Sequence, residues 1–445
     1  MRTTSEVCVS PSLCAELTGV TAPFHARDAL ELIESTTIWR LESRQNPHAG
    51  KRALREPIAE LRNAQEIFER GTTHSDQIYM PTALHDLWQH LQRQLFPTLL
   101  DELGGLGERD QHFVQVISLL PLGPFLPRYR WKGIGCPPHE RVWLLHAFIA
   151  KAVYGFATTE LLLDALRTRP TLRRLCGWET LSDIPSNSTF SRAFAQFAGD
   201  QLPQQIHEAL VKIHCGPKLA GHVSRDSTAI EVRERPAPKN KPEPEPAPRR
   251  KIGRPKKGEV REPAPLTKIE RQATRSLPEN LADLPRDCAF GRKAGSKGYF
   301  EIWVGYKLHL DVIDGDIPVS ALLTSASVHD SQAAIPLAQM TAQRLTSLYD
   351  LMDCAYDAPT IRQFSRDLGH VPLIEPHPQR SAPVLLDPAQ RLRFRERTAS
   401  ERVNSRLKDH YGGRTVRVRG AVKVMAHLMF GVLVVSALAL WARLC

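Results

Sequence analysis

The sequence lacks the features that identify several classes of protein. Its eight cysteines include no C-x-x-C pair, and none is spaced with a histidine in the manner of a zinc finger. The residues that follow Met1 include no long apolar segment, so a secretory signal peptide is not expected. These absences favour free thiols in a reducing cytoplasm, without structural zinc.

Acidic residues are fewer than basic ones. The 59 Lys and Arg residues exceed the 48 Asp and Glu residues, so the net charge is +11 and the pI is near 9.3. This balance favours nucleic acid or another polyanion as the partner. The hydrophobic content of 42% is typical of a soluble globular protein, and 445 residues predict two or three domains.

Long apolar segments are scarce as well, with a single example near the C-terminus. Residues 428–442 read "LMFGVLVVSALALWA" and are followed by Arg443. This stretch is shorter than the roughly 20 residues that a membrane-spanning helix needs. A segment that is apolar on all sides is also typical of a buried core helix. Burial is therefore the favoured interpretation, membrane insertion is the alternative, and no membrane partner is expected.

Two helical regions precede the rest of the chain. Residues 1–130 show helical periodicity without recognisable chemistry, and residues 138–215 form a second helical domain that could bind DNA. In the second region, Ser188, Thr189 and Arg192 begin a helix that could be the recognition helix of a helix-turn-helix motif. The alternative is an ordinary capped core helix whose phenylalanines pack inward.

Residues 233–290 are predicted to form a basic, proline-rich tether. The part from 233 to 275 holds 14 Lys and Arg residues against 6 Asp and Glu residues, a net charge of +8. A segment with so few apolar residues cannot bury enough surface to fold. Much of the positive excess of the chain is therefore concentrated in the tether.

The tether contains "RRKIGRPKKG", which resembles an AT-hook. In such motifs a Gly-Arg-Pro core lies in the narrow minor groove of A·T-rich DNA while flanking cations contact phosphates. Here Arg254 would enter the groove, and Lys256 and Lys257 would contact the backbone. The alternative is a soluble basic linker, and either interpretation predicts salt-dependent binding to phosphates.

The C-terminal region, 219–445, has a different pattern of polar and apolar residues. Residues 219–232 and two stretches after residue 295 alternate polar and apolar residues as strands do, and helices and short strands then alternate towards the C-terminus. This order predicts an α/β fold, a mixed sheet flanked by helices, preceded by an all-α N-terminal region and interrupted by the tether.

Three carboxylates in this region are candidates for catalysis. Asp226 lies within an apolar strand, Asp353 follows a buried strand, and Glu401 lies on a later helix. Acids are rarely left in apolar strands without a partner, and ligands collect near strand ends in sheets of this type. Convergent carboxylates suit Mg²⁺ or Mn²⁺, and two such ions can support phosphodiester cleavage.

Glu401 belongs to a stripe of spaced residues. Phe394, Arg397, Glu401 and Lys408 are separated by three, four and seven positions, which places them within roughly 60° on one face of a helix. The simplest interpretation is a solvated face with an Arg397–Glu401 pair. If Glu401 belongs to a metal site, Arg397 and Lys408 are instead candidate contacts to DNA phosphates.

Together these motifs resemble those of bacterial insertion-sequence DDE transposases. The stripe resembles their Y-(2)-R-(3)-E-(6)-K signature, "RDSTAI" resembles their first aspartate motif, and "DCAYDA" resembles their second. Phe394, Ser227 and Ala355 depart from the usual tyrosine, glycine and glycine, but no metal ligand is lost. The resemblance covers about residues 138–445.

The resemblance implies a ribonuclease H-like catalytic domain that binds its element ends, cleaves phosphodiester bonds and joins the 3′ ends to target DNA. Asp226, Asp353 and Glu401 would hold two Mg²⁺ or Mn²⁺ ions, and Phe394 would stack near the cleavage point. The expected partners are double-stranded DNA and a second copy of the chain, in the bacterial cytoplasm and nucleoid. The alternative function is that of a catalytically silent DNA-binding protein derived from a transposase.

Overall fold

A computed structural model describes residues 105–133, 137–238, 265–294, 298–376 and 386–444. The predictions for residues 1–104 and for the AT-hook-like segment, which includes Arg254, Lys256 and Lys257, lie outside these ranges. The described helices and strands are α1 (Glu108–Leu119), α2 (Arg141–Val153), α3 (Thr159–Thr168), α4 (Pro170–Cys176), α5 (Asn187–Gly199), α6 (Leu202–His214), β1 (Leu219–Glu231), α7 (Lys268–Ala273), α8 (Leu277–Ala282), β2 (Ala289–Ala294), β3 (Phe300–Ile313), β4 (Ile317–Ser325), α9 (Ser331–Ala342), β5 (Thr346–Met352), α10 (Pro359–Asp367), β6 (Val371–Ile374), α11 (Pro388–Phe394), α12 (Thr398–Asp409) and α13 (Ala421–Leu444).

The described residues that precede β1 form helices, as the periodicity predicts. Helix α5 begins where the hydroxyl group of Ser186 accepts a hydrogen bond from the backbone N–H of Thr189. Phe190 and Phe197 are completely buried, as a core helix requires, whereas Arg192 is exposed on the opposite face. The packing of α5 therefore fits the core-helix interpretation, and its role in DNA recognition stays a prediction.

Six strands form one mixed sheet. Strand β1 pairs antiparallel with β3 and parallel with β5, and β6 continues the sheet in parallel beyond β5. Strands β2 and β4 pair antiparallel with successive halves of β3. Helices α9 and α12 contact this sheet, so the predicted α/β fold with a mixed sheet flanked by helices is confirmed.

The predicted tether extends too far towards the C-terminus. Residues 265–290 include α7, α8 and the start of β2 rather than an unstructured segment. Both short helices begin with capping boxes, in which Thr267 pairs with Glu270 and Ser276 pairs with Glu279. These local signals, and burial of one polar side chain in each helix, outweigh the proline-rich composition of the residues before them.

Helix α13 is buried inside the protein. It has 24 residues, more than the apolar run alone indicated, so the argument that it is too short to cross a membrane is wrong. Among the described residues it is the one helix with that length and hydropathy, and 78% of its most apolar window is buried. The prediction of a buried core helix is confirmed.

Hydrogen bonds hold α13 against both halves of the protein. The Ser436 hydroxyl group donates to the backbone oxygen of Pro318 in β4 at 3.0 Å. His207 of α6 lies within hydrogen-bond distance of the same oxygen and of Ser436. The Ser436 hydroxyl group and His207 Nε2 are therefore satisfied where the helical region, the sheet and α13 meet.

Phe430 tests the packing of α13. It is 3% exposed and contacts Phe148 of α2 at 5.8 Å between ring centroids. Phe430→Ala should lower the free energy of unfolding by about 3–5 kcal/mol in urea titrations followed by circular dichroism, because it leaves a cavity. Val422→Ala is the control, since Val422 is 57% exposed on the same helix. Equal stability of the two variants would show that α13 does not pack in this way.

Candidate active site

Strand pairing brings the first two candidate acids together. Ser224 of β1 lies opposite Leu351 of β5 in the parallel pair. Two residues further along each strand direction, the chain reaches Asp226 and Asp353. Asp226 therefore lies beside Asp353 where β5 ends, as expected of acids at the carboxyl end of neighbouring parallel strands.

Helix α12 is hydrogen-bonded to β1 at the same place. The Ser224 hydroxyl group donates to the backbone oxygen of Arg397 at 2.6 Å and lies 2.7 Å from the Ser400 hydroxyl group. One turn further, Asn404 Nδ2 donates to Asp226 Oδ2 at 3.1 Å. These contacts hold the face of α12 that carries Ser400 and Asn404 against β1, the strand that carries Asp226.

Glu401 is paired rather than buried. Its Oε1 lies 2.8 Å from Nη2 of Arg397, and its side chain is 51% exposed. The Arg397 guanidinium group also lies 5.8 Å from the centroid of the Phe394 ring. Within the described ranges no group of three His, Cys, Asp or Glu side chains is arranged to hold a metal ion. The structure thus brings Asp226 and Asp353 together, whereas Glu401 is held in an ion pair with Arg397.

The predicted single helix for the stripe is wrong. Helix α11 ends at Phe394, a 3₁₀ turn covers Arg395–Arg397, and α12 begins at Thr398. The Arg397 carbonyl oxygen accepts a hydrogen bond from the Ser224 hydroxyl group of β1, which holds this turn against the strand. The contacts between Phe394, Arg397 and Glu401 nevertheless survive, because each pair is only three or four residues apart.

Burial and negative charge raise the pKa values of both central acids. The pKa of Asp226 rises to about 6, first because of burial and then because of the negative charge of Asp353. Burial, and then the charge of Asp330, raises the pKa of Asp353. Arg397 acts in the opposite direction on both groups. The two aspartates therefore form a partly desolvated pair whose mutual repulsion a cation would relieve.

Asp330 is a further acid, and it occupies the position just before α9, where a helix cap is expected. Its side chain makes no capping hydrogen bond to α9, and it accepts instead from Lys307 Nζ at 2.9 Å. Although burial raises its pKa, His309, Lys307 and Ser227 together lower it. Asp330 therefore adds a negative charge that acts on Asp226 and Asp353. Its place before a predicted helix concealed this role.

Tyr356 carries an unpartnered polar atom beside these acids. The residue is 1% exposed, and its hydroxyl group has no hydrogen-bond partner. Burial and the charges of Asp330, Asp226 and Asp353 raise its pKa well above the usual value. An orphaned hydroxyl group next to several carboxylates, all oxygen donors, fits a site for a hard divalent cation such as Mg²⁺.

Lys408, the last residue of the stripe, lies in the last turn of α12. Burial, and then the nearby cations Arg414 and Lys293, lowers its pKa. It lies among other cations, which suits a surface for phosphates.

The pH dependence of stability tests the environment of Asp226. Its pKa is higher in the folded protein than the ordinary 3.8, so ionisation destabilises the fold, and this cost grows as the pH rises from about 4 through 6. Asp226→Asn should therefore raise the free energy of unfolding by on the order of 1–3 kcal/mol at pH 8 in EDTA. The gain should vanish near pH 3.5. A gain that does not depend on pH would contradict the assigned environment.

Two parts of the chain match family models of known proteins. Residues 267–436 match the family model of the transposase DDE domain, and residues 102–196 match that of a transposase domain (DUF772). The first match includes Asp353 and Glu401 but begins after Asp226. No curated protein and no solved structure matches the chain. A DDE domain implies a ribonuclease H-like fold, and the two domain matches together support a transposase of the DDE class.

Proposed function

We propose that the chain is the transposase of a bacterial insertion sequence, which binds the ends of its element and cleaves phosphodiester bonds there. The freed 3′ ends then join target DNA. The observation that carries this proposal is the pairing of β1 with β5, which sets Asp226 beside Asp353, while Asn404 of α12, the helix that also carries Glu401, is hydrogen-bonded to Asp226. The transposase DDE domain match is independent support.

Asp226, Asp353 and Glu401 are the proposed ligands of two Mg²⁺ or Mn²⁺ ions. Bound ions supply activation of the attacking oxygen and stabilisation of the leaving oxygen in phosphodiester cleavage. Asn404 orients the carboxylate of Asp226 through its hydrogen bond. Asp353 accepts a hydrogen bond from the backbone N–H of Ala355, which orients its carboxylate in the same way.

Arg397 is proposed to exchange partners when DNA binds. In the structure its guanidinium group neutralises Glu401. A phosphate group of DNA is an equally good partner, since guanidinium and phosphate form charge-assisted bidentate hydrogen bonds. Transfer of Arg397 to the phosphate would release Glu401 to join Asp226 and Asp353. Phe394, which contacts Arg397, is placed to stack on a nearby base.

A metal-dependent cleavage assay tests the acids. Asp226→Ala, Asp353→Ala and Glu401→Ala should abolish cleavage of a duplex that carries the element end, while leaving its binding intact. Glu396→Ala is the control, because Glu396 is an exposed acid of the neighbouring 3₁₀ turn. Mn²⁺ should also raise the melting temperature of the wild type more than that of the three variants, because a ligand that binds only the folded state stabilises it.

Two results would refute these assignments. Normal cleavage by Glu401→Ala would remove that residue from the site. A wild-type protein that binds the duplex but cleaves nothing with Mg²⁺ or Mn²⁺ would favour the silent DNA-binding alternative.

The Arg397→Ala variant tests the exchange of partners, because the two roles of Arg397 predict different effects on stability and on cleavage. If Arg397 serves only its ion pair with Glu401, Arg397→Ala should cost about 0.2–0.5 kcal/mol of stability and leave cleavage unchanged. If it binds phosphate, cleavage at saturating DNA and metal should fall by roughly tenfold or more, as loss of a charged hydrogen bond requires. Lys408→Ala should behave alike. Arg406→Ala on the same helix is the control, since Arg406 lies near Asp316 instead.

A further inference from the structure

A second polar site lies away from the carboxylates, in a cavity of about 310 Å³ between the helical region and α13. Its lining includes the aromatic side chains of Phe148, Phe194 and Tyr411. Phe148 and Phe194 lie 5.2 Å apart between ring centroids, so they form one aromatic wall. The size falls within the range of pockets that hold small organic ligands.

The cavity is cationic. Lys151, Arg419 and Lys423 line it, and its described lining contains no Asp or Glu side chain. Lys151 lies on α2, mostly buried beside Phe148, and burial lowers its pKa to about 8. Among the described residues this ammonium group has no carboxylate partner, and an unpaired charge in such a place is costly to the fold. This cost makes Lys151 a candidate partner for the anionic group of a ligand.

The neighbouring histidine adds no charge of its own to the cavity. His427 lies within hydrogen-bond distance of the Gly412 backbone oxygen at 3.0 Å. Burial, and then the charge of Lys151, lowers its pKa to about 4, so it is neutral at physiological pH. The cavity therefore presents two exposed cations and one mostly buried cation to a ligand, together with aromatic rings.

The cavity is connected to the candidate active site through the segment that follows α12. Tyr411 and Gly412 line the cavity, and they come directly after the helix that carries Glu401 and Lys408. Arg414 pairs with Asp409 at 2.6 Å and is one of the cations that act on Lys408. Val416 pairs with Val232 just after β1, which anchors the segment to the sheet.

We propose that this cavity binds a nucleotide. Its phosphate group lies against Lys151, Arg419 and Lys423, and its base lies among the rings of Phe148, Phe194 and Tyr411. Cations match the phosphate, and aromatic side chains stack on any base without regard to sequence. The binding chemistry follows from the cavity alone, whereas a DNA strand as the source of the nucleotide rests on the proposed function.

Binding to the full-length chain in EDTA tests this proposal without any need for cleavage. The probes are dAMP, followed by calorimetry, and a fluorescein-labelled single-stranded oligonucleotide, followed by anisotropy. Lys151→Met should weaken binding of at least one probe by roughly tenfold or more, because it removes a charge-assisted hydrogen bond. The same variant should melt no earlier than the wild type, since an unpaired buried charge is lost.

Two further variants complete the test. Lys218→Met removes an exposed lysine that does not line the cavity, so it should leave both affinities unchanged. Ser191→Trp fills the mouth of the cavity but keeps its cations, and it should weaken nucleotide binding even so. Selective loss of oligonucleotide binding in these variants would identify a DNA strand as the source, and selective loss of dAMP binding would identify a free nucleotide.

Unchanged affinities of Lys151→Met and Ser191→Trp for both probes would overturn the proposal. Failure of the proposed function is separately visible. In that case the wild type would not cleave duplex DNA with metal, although the cavity variants would still change nucleotide binding.

Discussion

Burial of α13 is the constraint on which the two halves of the described structure depend. One side of this apolar helix closes the core of the helical region, and the other packs against β4 and α12. The helix is apolar on all sides, so every face must be covered if it is to leave water. In its apolar stretch, residues 428–442, Ser436 is the polar exception, and its hydrogen bond to Pro318 satisfies it where the halves meet.

With α13 packed between the two halves, β1 determines where Asp226 lies in the candidate active site. Arg225 and Asp311 form a buried ion pair with two hydrogen bonds, 2.8 and 2.7 Å long, directly beside Asp226. Such a pair holds the register of β1 and β3, because a slip would strand a buried charge. On the next residue, Asp226 faces α12 and Asn404. Arg225 of β1 thus has a structural role through its ion pair with β3, while the adjacent Asp226 is available to the candidate active site.

The electrostatics of the site and of the cavity are complementary. Asp226, Asp353 and Asp330 concentrate negative charge with only partial compensation, which raises the pKa values of the first two. Lys151 concentrates positive charge in the cavity and has its pKa lowered. Both arrangements cost folding free energy, and such local conflicts are expected at functional sites. A metal ion would relieve the first and a phosphate group the second.

Local sequence signals determined the helices and strands, and the tertiary structure determined the roles of individual side chains. Alternation in β1 and β3, the apolar character of α13 and the capping serine of α5 are local, so these elements could be predicted. The spacing of the stripe correctly placed Arg397 beside Glu401, because their contact spans one helical turn. The short helices α7 and α8 were missed because proline-rich composition concealed their capping boxes. Asp330 looked like a cap, Tyr356 looked like part of a motif, and Lys151 looked like one cation among many. Their roles depend on burial and on neighbours distant in the chain, and only the folded structure determines those.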